Sequence, residues 1–277
     1  MTIGGWLSEA TEQLVQAGIA SPRLDAEIIL AHTLREKRTY VHAHPADEID
    51  LRLEEIANAR LDLRLDRVPV AYIVGHKEFY GHLFKITPHV LIPRPESEEM
   101  LTLLRKIMPT TMELPAMATT KRLVDIGTGS GCLGISAKLL YPELDVTLLD
   151  TSKTALQVAE KNAAALDAEA QTLQSDLLSN YPFSPDIVLA NLPYVDESWS
   201  SNSPELRHEP PEALFASKKG LSVIQRCFEE LSHRMRKGGI AIFEADPRQW
   251  SEIEKIAREN GFLKVDQLEY ATTFKLH

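Results

Sequence analysis

The feature that most constrains how this chain can fold is the alternation of strand and helix patterns from residue 122 onward. Short β-branched runs alternate with longer stretches of helical period, which predicts a mostly parallel sheet with helices on both faces. The predicted strands are 122–126, 145–150, 172–175, 186–191 and 239–245, and the predicted helices are 131–140, 152–166, 219–237 and 247–260. Two last strands, near 263–269 and 272–276, are joined too closely for a crossover helix, so we expect an antiparallel pair at the sheet edge.

At 277 residues the chain is long enough for one such α/β domain and a smaller companion. In residues 1–67, apolar residues recur at helical spacing. From Val68 to Arg94, β-branched and aromatic residues broken by glycine and proline favour a hairpin-like connector. We predict a helical domain at 1–67, the connector at 68–95 and the α/β domain at 96–277. Residues 109–120, with two prolines and no regular period, are predicted to form an exposed loop. One helical stripe expected to face the core consists of Leu24, Ile28, Ala31 and Leu34.

Composition limits the functions available to the chain. Its 40 acidic against 30 basic residues give a formal net charge of -10, so the average surface repels phosphate backbones and argues against a nucleic-acid partner. Cys132 and Cys227 show no metal-ligand spacing, which fits a reducing compartment and no metal site. Because no basic leader or long apolar run is present, we expect a soluble cytoplasmic protein without membrane attachment.

A glycine-rich loop follows the first strand of the α/β pattern. In "LVDIGTGSGCLG", Gly127, Gly129 and Gly131 occupy the turn into a helix. Missing side chains there let the backbone approach a ligand, and free amides at the helix start favour its anionic part. Gly129, Gly131 and Gly134 also fit the G-x-G-x-x-G pattern of dinucleotide-binding folds. The loop alone therefore leaves two cofactors open, a nicotinamide dinucleotide and S-adenosylmethionine.

Acidic residues end the next two strands. Asp150 closes "VTLLD", so we expect its carboxylate at the crevice, where it would bind the ribose hydroxyls of either cofactor. Since Thr151 and Ser152 can cap the following helix, Asp150 is not needed for that role. Asp176, in "LQSDLL", is placed either to accept a hydrogen bond from an adenine amino group or to be an exposed turn aspartate.

The run "NLPY", residues 191–194, ends the fourth strand at the same crevice. A hydride-transfer site needs an acid-base group, whereas Asn191 and the Leu192 carbonyl offer neutral acceptors for the two N–H groups of a planar amide or aromatic amine. Pro193 restricts the Leu192 backbone and so sets the direction of that carbonyl, while Tyr194 is placed to stack on a planar target. Such a site would aim a poorly nucleophilic nitrogen at an electrophilic methyl group, with orientation supplying most of the rate.

Together these residues resemble the HemK/PrmC family of protein-(glutamine-N5) methyltransferases. The resemblance covers nearly the whole chain and is carried by "RVPVAYIVGHKEFYG", "LIPRPESE", "DIGTGSGCLGIS", "LDTSKTALQVAEKNA", "NLPY" and "HEPPEALFASKKGL". It implies a class I, Rossmann-like S-adenosylmethionine-dependent methyltransferase with a seven-stranded sheet and a small N-terminal helical domain. It further implies that the chain methylates the glutamine of the Gly-Gly-Gln motif in peptide chain release factors, with the helical domain helping to bind them.

The resemblance also implies roles for individual residues. The cofactor pocket would be lined by Gly127, Thr128, Gly129, Ser130, Gly131, Asp150, Asp176, Leu177 and Asn191. The glutamine side chain would be held by Asn191, Leu192, Pro193 and Tyr194. Arg94 and Glu96 would shape the pocket mouth, or else form a structural salt bridge. One active site per chain requires no partner subunit, so a monomer is expected.

Departures from the family pattern keep alternatives open. Leu192 stands where the family usually has proline, Ala245 and Asp246 stand in its Glu-Ile-Gly element, and the usual acidic-then-arginine pattern is missing from "LEYATTFKLH". "NLPY" also resembles ribosomal RNA adenine dimethyltransferases, so an RNA or DNA adenine-N6 methyltransferase is the second hypothesis. A nicotinamide-dependent oxidoreductase and an inactive binding module are the hypotheses from other classes.

Overall fold

The structure, a computed structural model, describes residues 1–108, 121–196, 198–199 and 203–277. Within those ranges the chain forms two compact units, Met1–His76 with Ser203–His208 and Lys77–Asn202 with Glu209–His277. The loop predicted at 109–120 lies outside the described residues. Among the helices of the described ranges, none is long and apolar enough to cross a membrane.

The first unit is helical. Its helices are α1 (Ile3–Gln16), α2 (Pro22–Leu34), α3 (Arg38–Ala43), α4 (Leu51–Leu65) and α5 (Val70–Val74). The buried face of α1, with the three-to-four spacing of an amphipathic helix, consists of Ile3, Trp6, Leu7, Ala10 and Leu14. This face shares one core with Ile29 and Leu30 of α2 and with Ala57 and Leu61 of α4.

The core-facing stripe predicted for α2 is correct only in part. Ala31 is buried in the core and Leu34 packs against it, but Leu24 is 41% exposed, and the fully buried Ile29 and Leu30 were not predicted. The buried side of α2 also carries Asp25, whose Oδ2 lies 2.7 Å from Arg64 Nε. Because a paired carboxylate is tolerated inside a protein, the apolar residues alone do not mark the face that packs.

The helical unit takes in more of the chain than residues 1–67. Val70–Val74 form α5 inside the segment expected to be a hairpin-like connector, because Ala71 and Val74 are buried on one side of that helix. Ser203–His208 also belongs to this unit, since Glu205 lies 3.2 Å from Arg64 and 3.4 Å from Arg67. The hairpin follows α5 as β1 (His76–Phe79) and β2 (His82–Lys85).

The second unit contains the sheet that the strand and helix alternation predicted. Its strands are β3 (Arg122–Ile126), β4 (Asp145–Asp150), β5 (Ala170–Gln174), β6 (Ile187–Ala190), β7 (Ile240–Glu244), β8 (Phe262–Gln267) and β9 (Ala271–Leu276). The seven strands lie in the order β5-β4-β3-β6-β7-β9-β8. All neighbours are parallel except β9, which is antiparallel to both β7 and β8. The predicted Rossmann-like sheet with an antiparallel C-terminal pair is therefore confirmed.

Helices accompany the sheet, and aromatic rings join one of them to it. The helices are α6 (Glu98–Ile107), α7 (Cys132–Leu140), α8 (Lys153–Ala165), α9 (Pro211–Leu214), α10 (Ser222–Arg234) and α11 (Trp250–Glu259). Phe228 of α10 stacks on Phe243 of β7 with ring centroids 4.4 Å apart. Phe262 and Phe274 meet Phe228 edge-on at 5.3 and 5.2 Å. Such aromatic contacts add to the area buried and hold α10 against the strands.

Strand β3 is the point at which the order of the sheet reverses. It pairs with β4 on one side and with β6 on the other. In open α/β sheets, ligands bind in the crevice outside the carboxyl ends of the strands at such a point. The residues that follow β3, β4 and β6 therefore form the candidate site.

Candidate active site

The loop after β3 has the backbone conformation that glycine permits. Gly127, Gly129 and Gly131 have φ angles of +72°, +54° and +84°, a region that L side chains rarely adopt. The Thr128 hydroxyl donates a hydrogen bond to Asp125 Oδ2 at 2.6 Å, which ties the loop to β3. A Cβ added at Gly129 would meet nothing within 4 Å, so this part of the loop borders open space.

Gly134 and Ser130 serve the packing of the loop. A Cβ at Gly134 would lie 2.3 Å from Leu148 Cδ2, so this glycine allows α7 to approach β4 closely. The buried Ser130 accepts a hydrogen bond at its carbonyl from Asn162 Nδ2 at 2.8 Å, which ties the loop to α8. The third glycine of the G-x-G-x-x-G pattern is therefore explained by helix-sheet packing and does not discriminate between cofactors.

Asp150 ends β4 beside the glycine loop. Its Oδ2 accepts the Gly129 backbone N–H at 2.9 Å, and its Oδ1 accepts the Ser152 backbone N–H at 2.8 Å. Burial raises the pKa of this carboxyl, and the backbone N–H groups of Ser152 and Gly129 partly oppose the rise. Ser152 caps α8 through its own hydroxyl, so Asp150 is not needed as that helix's cap. Its contact with ribose stays a prediction.

Asp176 and Leu177 follow β5. Asp176 Oδ2 lies 2.6 Å from Arg226 Nη2 of α10, with about half of each side chain exposed. Exposed pairs of this kind contribute little stability, so the arrangement does not commit Asp176 to a structural role. Leu177 adopts a φ of +49° and buries its side chain, which anchors the turn. The adenine contact of Asp176 stays a prediction.

Asn191 and Leu192 follow β6, next to the glycine loop. Asn191 Nδ2 donates to Ser97 Oγ at 3.1 Å, which leaves the amide oxygen, Oδ1, as the acceptor for a ligand. The Leu192 side chain is buried, and its Cδ2 lies 3.3 Å from the position that a Cβ on Gly127 would take. Leucine in place of the family's usual proline is thus accommodated, because its side chain packs inward.

Tyr194 is held at both its hydroxyl and its backbone. The hydroxyl donates to Glu244 Oε1 at 3.1 Å, and Glu244 is 1% exposed. Burial and this carboxylate raise the pKa of the Tyr194 phenol, so Tyr194 is a neutral donor near neutral pH. Pro193, between Leu192 and Tyr194, is partly buried. Stacking of the Tyr194 ring on a planar ligand stays a prediction.

The salt-bridge alternative fits Arg94. Its guanidinium pairs with Glu209 Oε1, and Glu209 Oε2 accepts the Ile92 backbone N–H at 3.0 Å. Glu209 is 4% exposed, and a buried carboxylate requires such partners. This pair therefore fixes the segment that leads into α6 and Ser97.

Gln249 was not predicted from the sequence, and its side chain is hydrogen-bonded to the backbone of the site. Gln249 Oε1 accepts the Asp246 N–H at 3.2 Å, and Nε2 donates to the carbonyls of Tyr194 at 2.8 Å and Lys219 at 2.9 Å. Asp246 caps the same turn, so the two residues form a capping box. The pattern of Asp followed three residues later by Gln was the available signal. The capping box also gives Asp246 a structural role at a position where the family usually has glycine.

Replacing Gln249 with alanine is expected to lower the free energy of unfolding by about 2–4 kcal/mol, because two carbonyls and one N–H lose their partner. Chemical denaturation of the full chain measures the change. Gln171→Ala is the matched control, since Gln171 is exposed on β5 and its loss should stay within about 0.5 kcal/mol. Equal losses in the two variants would contradict the role given to Gln249.

The structure brings most of the predicted site residues to one edge of the sheet. Asp150 is hydrogen-bonded to Gly129 of the glycine loop, and Leu192 packs against Gly127 of the same loop. Asp176 follows β5, the strand next to β4, but its carboxylate is paired with Arg226 of α10. An acidic acceptor, a run of backbone amides and a neutral amide oxygen therefore share one crevice.

Comparison with known proteins identifies relatives that cover most of the chain. Residues 5–75 match the family model described as the PrmC N-terminal domain, and residues 103–209 match the methyltransferase small domain. A release factor glutamine methyltransferase from Koribacter versatilis is 32% identical, over 96% of this chain and 97% of its own. Another, from Deinococcus radiodurans, is 31% identical over 95% of this chain and 92% of its own.

A solved structure supports the fold. A methyltransferase from Pyrococcus furiosus has a TM-score of 0.51 at 13% sequence identity, and the match covers 78% of this chain and 95% of that one. At this identity the likeness concerns the fold alone.

Proposed function

Because the chain belongs to the release factor glutamine methyltransferase family, we propose that it transfers a methyl group from S-adenosylmethionine to the glutamine side-chain nitrogen, N5, in the Gly-Gly-Gln motif of peptide chain release factors. The main structural observation in favour of this proposal is the orientation of the Asn191 amide. Its nitrogen donates to Ser97 Oγ, and its oxygen is left for a ligand. The match of residues 5–75 to the PrmC N-terminal domain supports a role for the helical unit in binding the release factor.

The crevice residues fit S-adenosylmethionine. When bound, this cofactor supplies a methyl group on a positively charged sulfur, which is an electrophile. Gly127 to Gly131 would border it, since Gly129 faces open space and backbone amides suit an anionic group. Asp150 would accept from its ribose hydroxyls, and Asp176 with Leu177 would lie at its adenine. The methyltransferase relatives favour this cofactor over the nicotinamide dinucleotide that the glycine loop left open.

Asn191 and Leu192 would hold the substrate. An amide nitrogen is a weak nucleophile because its lone pair is delocalised, so the chain has to supply orientation. Asn191 Oδ1 and the Leu192 carbonyl would each accept one N–H of the glutamine amide. Pro193 restricts the Leu192 backbone, and the burial of the Leu192 side chain gives that carbonyl a second constraint.

Methyl transfer from labelled S-adenosylmethionine to a purified release factor tests the proposal. We expect label on the unmodified factor and none on a variant whose Gly-Gly-Gln glutamine is replaced by alanine. A ribosomal RNA sample belongs in the same experiment, since label on RNA would support the adenine methyltransferase hypothesis instead. Tight cofactor binding without label on either substrate would contradict the proposal.

Asp150→Asn is expected to weaken S-adenosylmethionine binding by about 10- to 100-fold, because hydrogen bonds to a charged acceptor are worth roughly 1.5–3 kcal/mol. Titration calorimetry measures the dissociation constant. Asp145→Asn is the matched control, since Asp145 begins the same strand at the opposite end and its change should leave binding within about twofold. An unchanged constant in Asp150→Asn would remove this residue from the cofactor site.

A further inference from the structure

One polar face of α10 is hydrogen-bonded to the segment that follows β5. Its residues Arg226, Glu230 and Arg234 stand four apart in the sequence, so they lie one above another on the helix. Arg226 Nη2 lies 2.6 Å from Asp176 Oδ2. Glu230 Oε2 accepts the Leu178 backbone N–H at 3.0 Å, and Arg234 Nη1 donates to the Leu178 carbonyl at 3.2 Å. Successive turns of α10 therefore contact this segment.

The backbone of the segment is held without Arg226. Leu178 is fully buried in one core with Phe228 of α10, and Arg234 also donates to the Tyr181 carbonyl. Buried apolar contacts and hydrogen bonds to the main chain fix the path of a loop. The contact made by Arg226 differs from these, because it orients a side chain and not the backbone.

Stability does not account for the pair of Arg226 and Asp176. Their side chains are 50% and 56% exposed, and exposed ion pairs contribute little to the free energy of unfolding. A carboxylate in contact with water does not require a protein partner. The effect of the pair that remains is on the orientation of the Asp176 carboxylate.

We propose that Arg226 is a positioning residue that determines the preference of the cofactor site for adenine. It holds Oδ2 of Asp176, so that Oδ1 is directed to the adenine and accepts a hydrogen bond from its 6-amino group. Within the described ranges, Oδ1 of Asp176 accepts no hydrogen bond, whereas Oδ2 is bound to Arg226. This inference rests on the proposed function, because it takes S-adenosylmethionine as the cofactor and Asp176 as the partner of its adenine.

The chemistry of the two groups gives the preference its direction. An ionised carboxylate only accepts hydrogen bonds, and an amino group on the adenine ring donates them. A purine ring without that amino group offers Asp176 no donor at the same place. A carboxylate that rotates freely must also be ordered when the cofactor binds, which costs affinity. Arg226 lowers that cost because it orders the carboxylate beforehand.

Titration calorimetry of the full chain with two ligands tests this inference. One ligand is S-adenosylhomocysteine, which is S-adenosylmethionine without the transferred methyl group, and the other is its analogue with hydrogen in place of the 6-amino group. The wild type should bind the analogue about 10- to 100-fold more weakly, the loss expected for a hydrogen bond to a charged acceptor. Arg226→Ala should lower this ratio of dissociation constants by about 2- to 10-fold, the effect of leaving one side chain to be ordered on binding.

The ratio separates positioning from a structural role. A general disturbance of the cofactor site would weaken both ligands alike and leave the ratio unchanged. Asp176→Ala should bring the ratio close to 1, and the double variant with Arg226→Ala should match it, because Arg226 acts only through Asp176. Arg258→Ala is the matched control. Arg258 is an exposed arginine of α11 that donates to the Glu254 carbonyl of its own helix, so its replacement should leave the wild-type ratio.

The outcomes are distinguishable from those of the proposed function. A wild-type ratio in Arg226→Ala, or a ratio close to 1 in the wild type, would overturn this inference alone. No binding of S-adenosylhomocysteine by the wild type would overturn the proposed cofactor and this inference with it. The expected ratios without label on the release factor would support this inference and overturn the proposed substrate.

Discussion

Asn191→Ala is expected to slow glutamine methylation by about 100- to 1,000-fold, the loss seen when a single oriented hydrogen-bonding group is removed from an active site. The substitution removes the acceptor for one substrate N–H and also leaves Ser97 without the donor that now lies 3.1 Å away. The glycine loop and Asp150 are untouched, so the dissociation constant of S-adenosylmethionine should stay within about twofold. Single-turnover labelling of the release factor measures the rate, and calorimetry measures the affinity.

The matched control for this variant is Asn180→Ala. Asn180 is exposed and donates Nδ2 to the Gln174 carbonyl at 2.9 Å, so its replacement removes an asparagine from the same end of the sheet without removing a predicted substrate contact. Its methylation rate should stay within about twofold of the wild type. If Asn191→Ala weakened cofactor binding as much as it slowed turnover, the residue would act on the cofactor and not on the glutamine.

The fold could be predicted because its determinants are local. The alternation of short apolar strands with helical periods follows directly from the order of neighbouring residues. Each strand of the sheet lies within a few residues of its predicted range. The carboxyl ends of parallel strands meet at one edge, so the strand ends at Asp150 and Asn191 were expected at a common crevice. The full buried face of α2 was not predictable in this way, since its buried Asp25 depends on Arg64, a partner on another helix.

The residues that are hydrogen-bonded to Asn191 and Tyr194 were less predictable than Asn191 and Tyr194 themselves. Ser97 contacts Asn191 across 94 residues of chain, and no period or motif indicates that a serine in the turn before α6 should reach an amide after β6. Glu244 is a strand residue whose polarity is explained only by its neighbours in the folded protein. Gln249 is the exception, because the Asp246 to Gln249 spacing is a local capping pattern.

Gly220→Ala is expected to lower the free energy of unfolding by about 3–5 kcal/mol, from left-handed backbone strain and overpacking together. Lys218, Lys219 and Gly220 all have positive φ, the glycine at +81°, as the chain crosses the site loop. A Cβ on Gly220 would lie 1.9 Å from the Tyr194 carbonyl oxygen and 2.6 Å from Gln249 Nε2. The backbone at Tyr194 would therefore have to move.

Gly81→Ala separates the two causes of this loss. Gly81 has a φ of +77°, close to that of Gly220, but a Cβ there would meet nothing within 4 Å, so only the conformational cost of about 1–2 kcal/mol applies. Chemical denaturation of both variants gives the difference, which is the cost of displacing the Tyr194 carbonyl. Methylation should fall in Gly220→Ala and not in Gly81→Ala, because Tyr194 and Leu192 share one short backbone segment. Equal losses of stability in the two variants would show that the close approach at Tyr194 is relieved without disturbing the site.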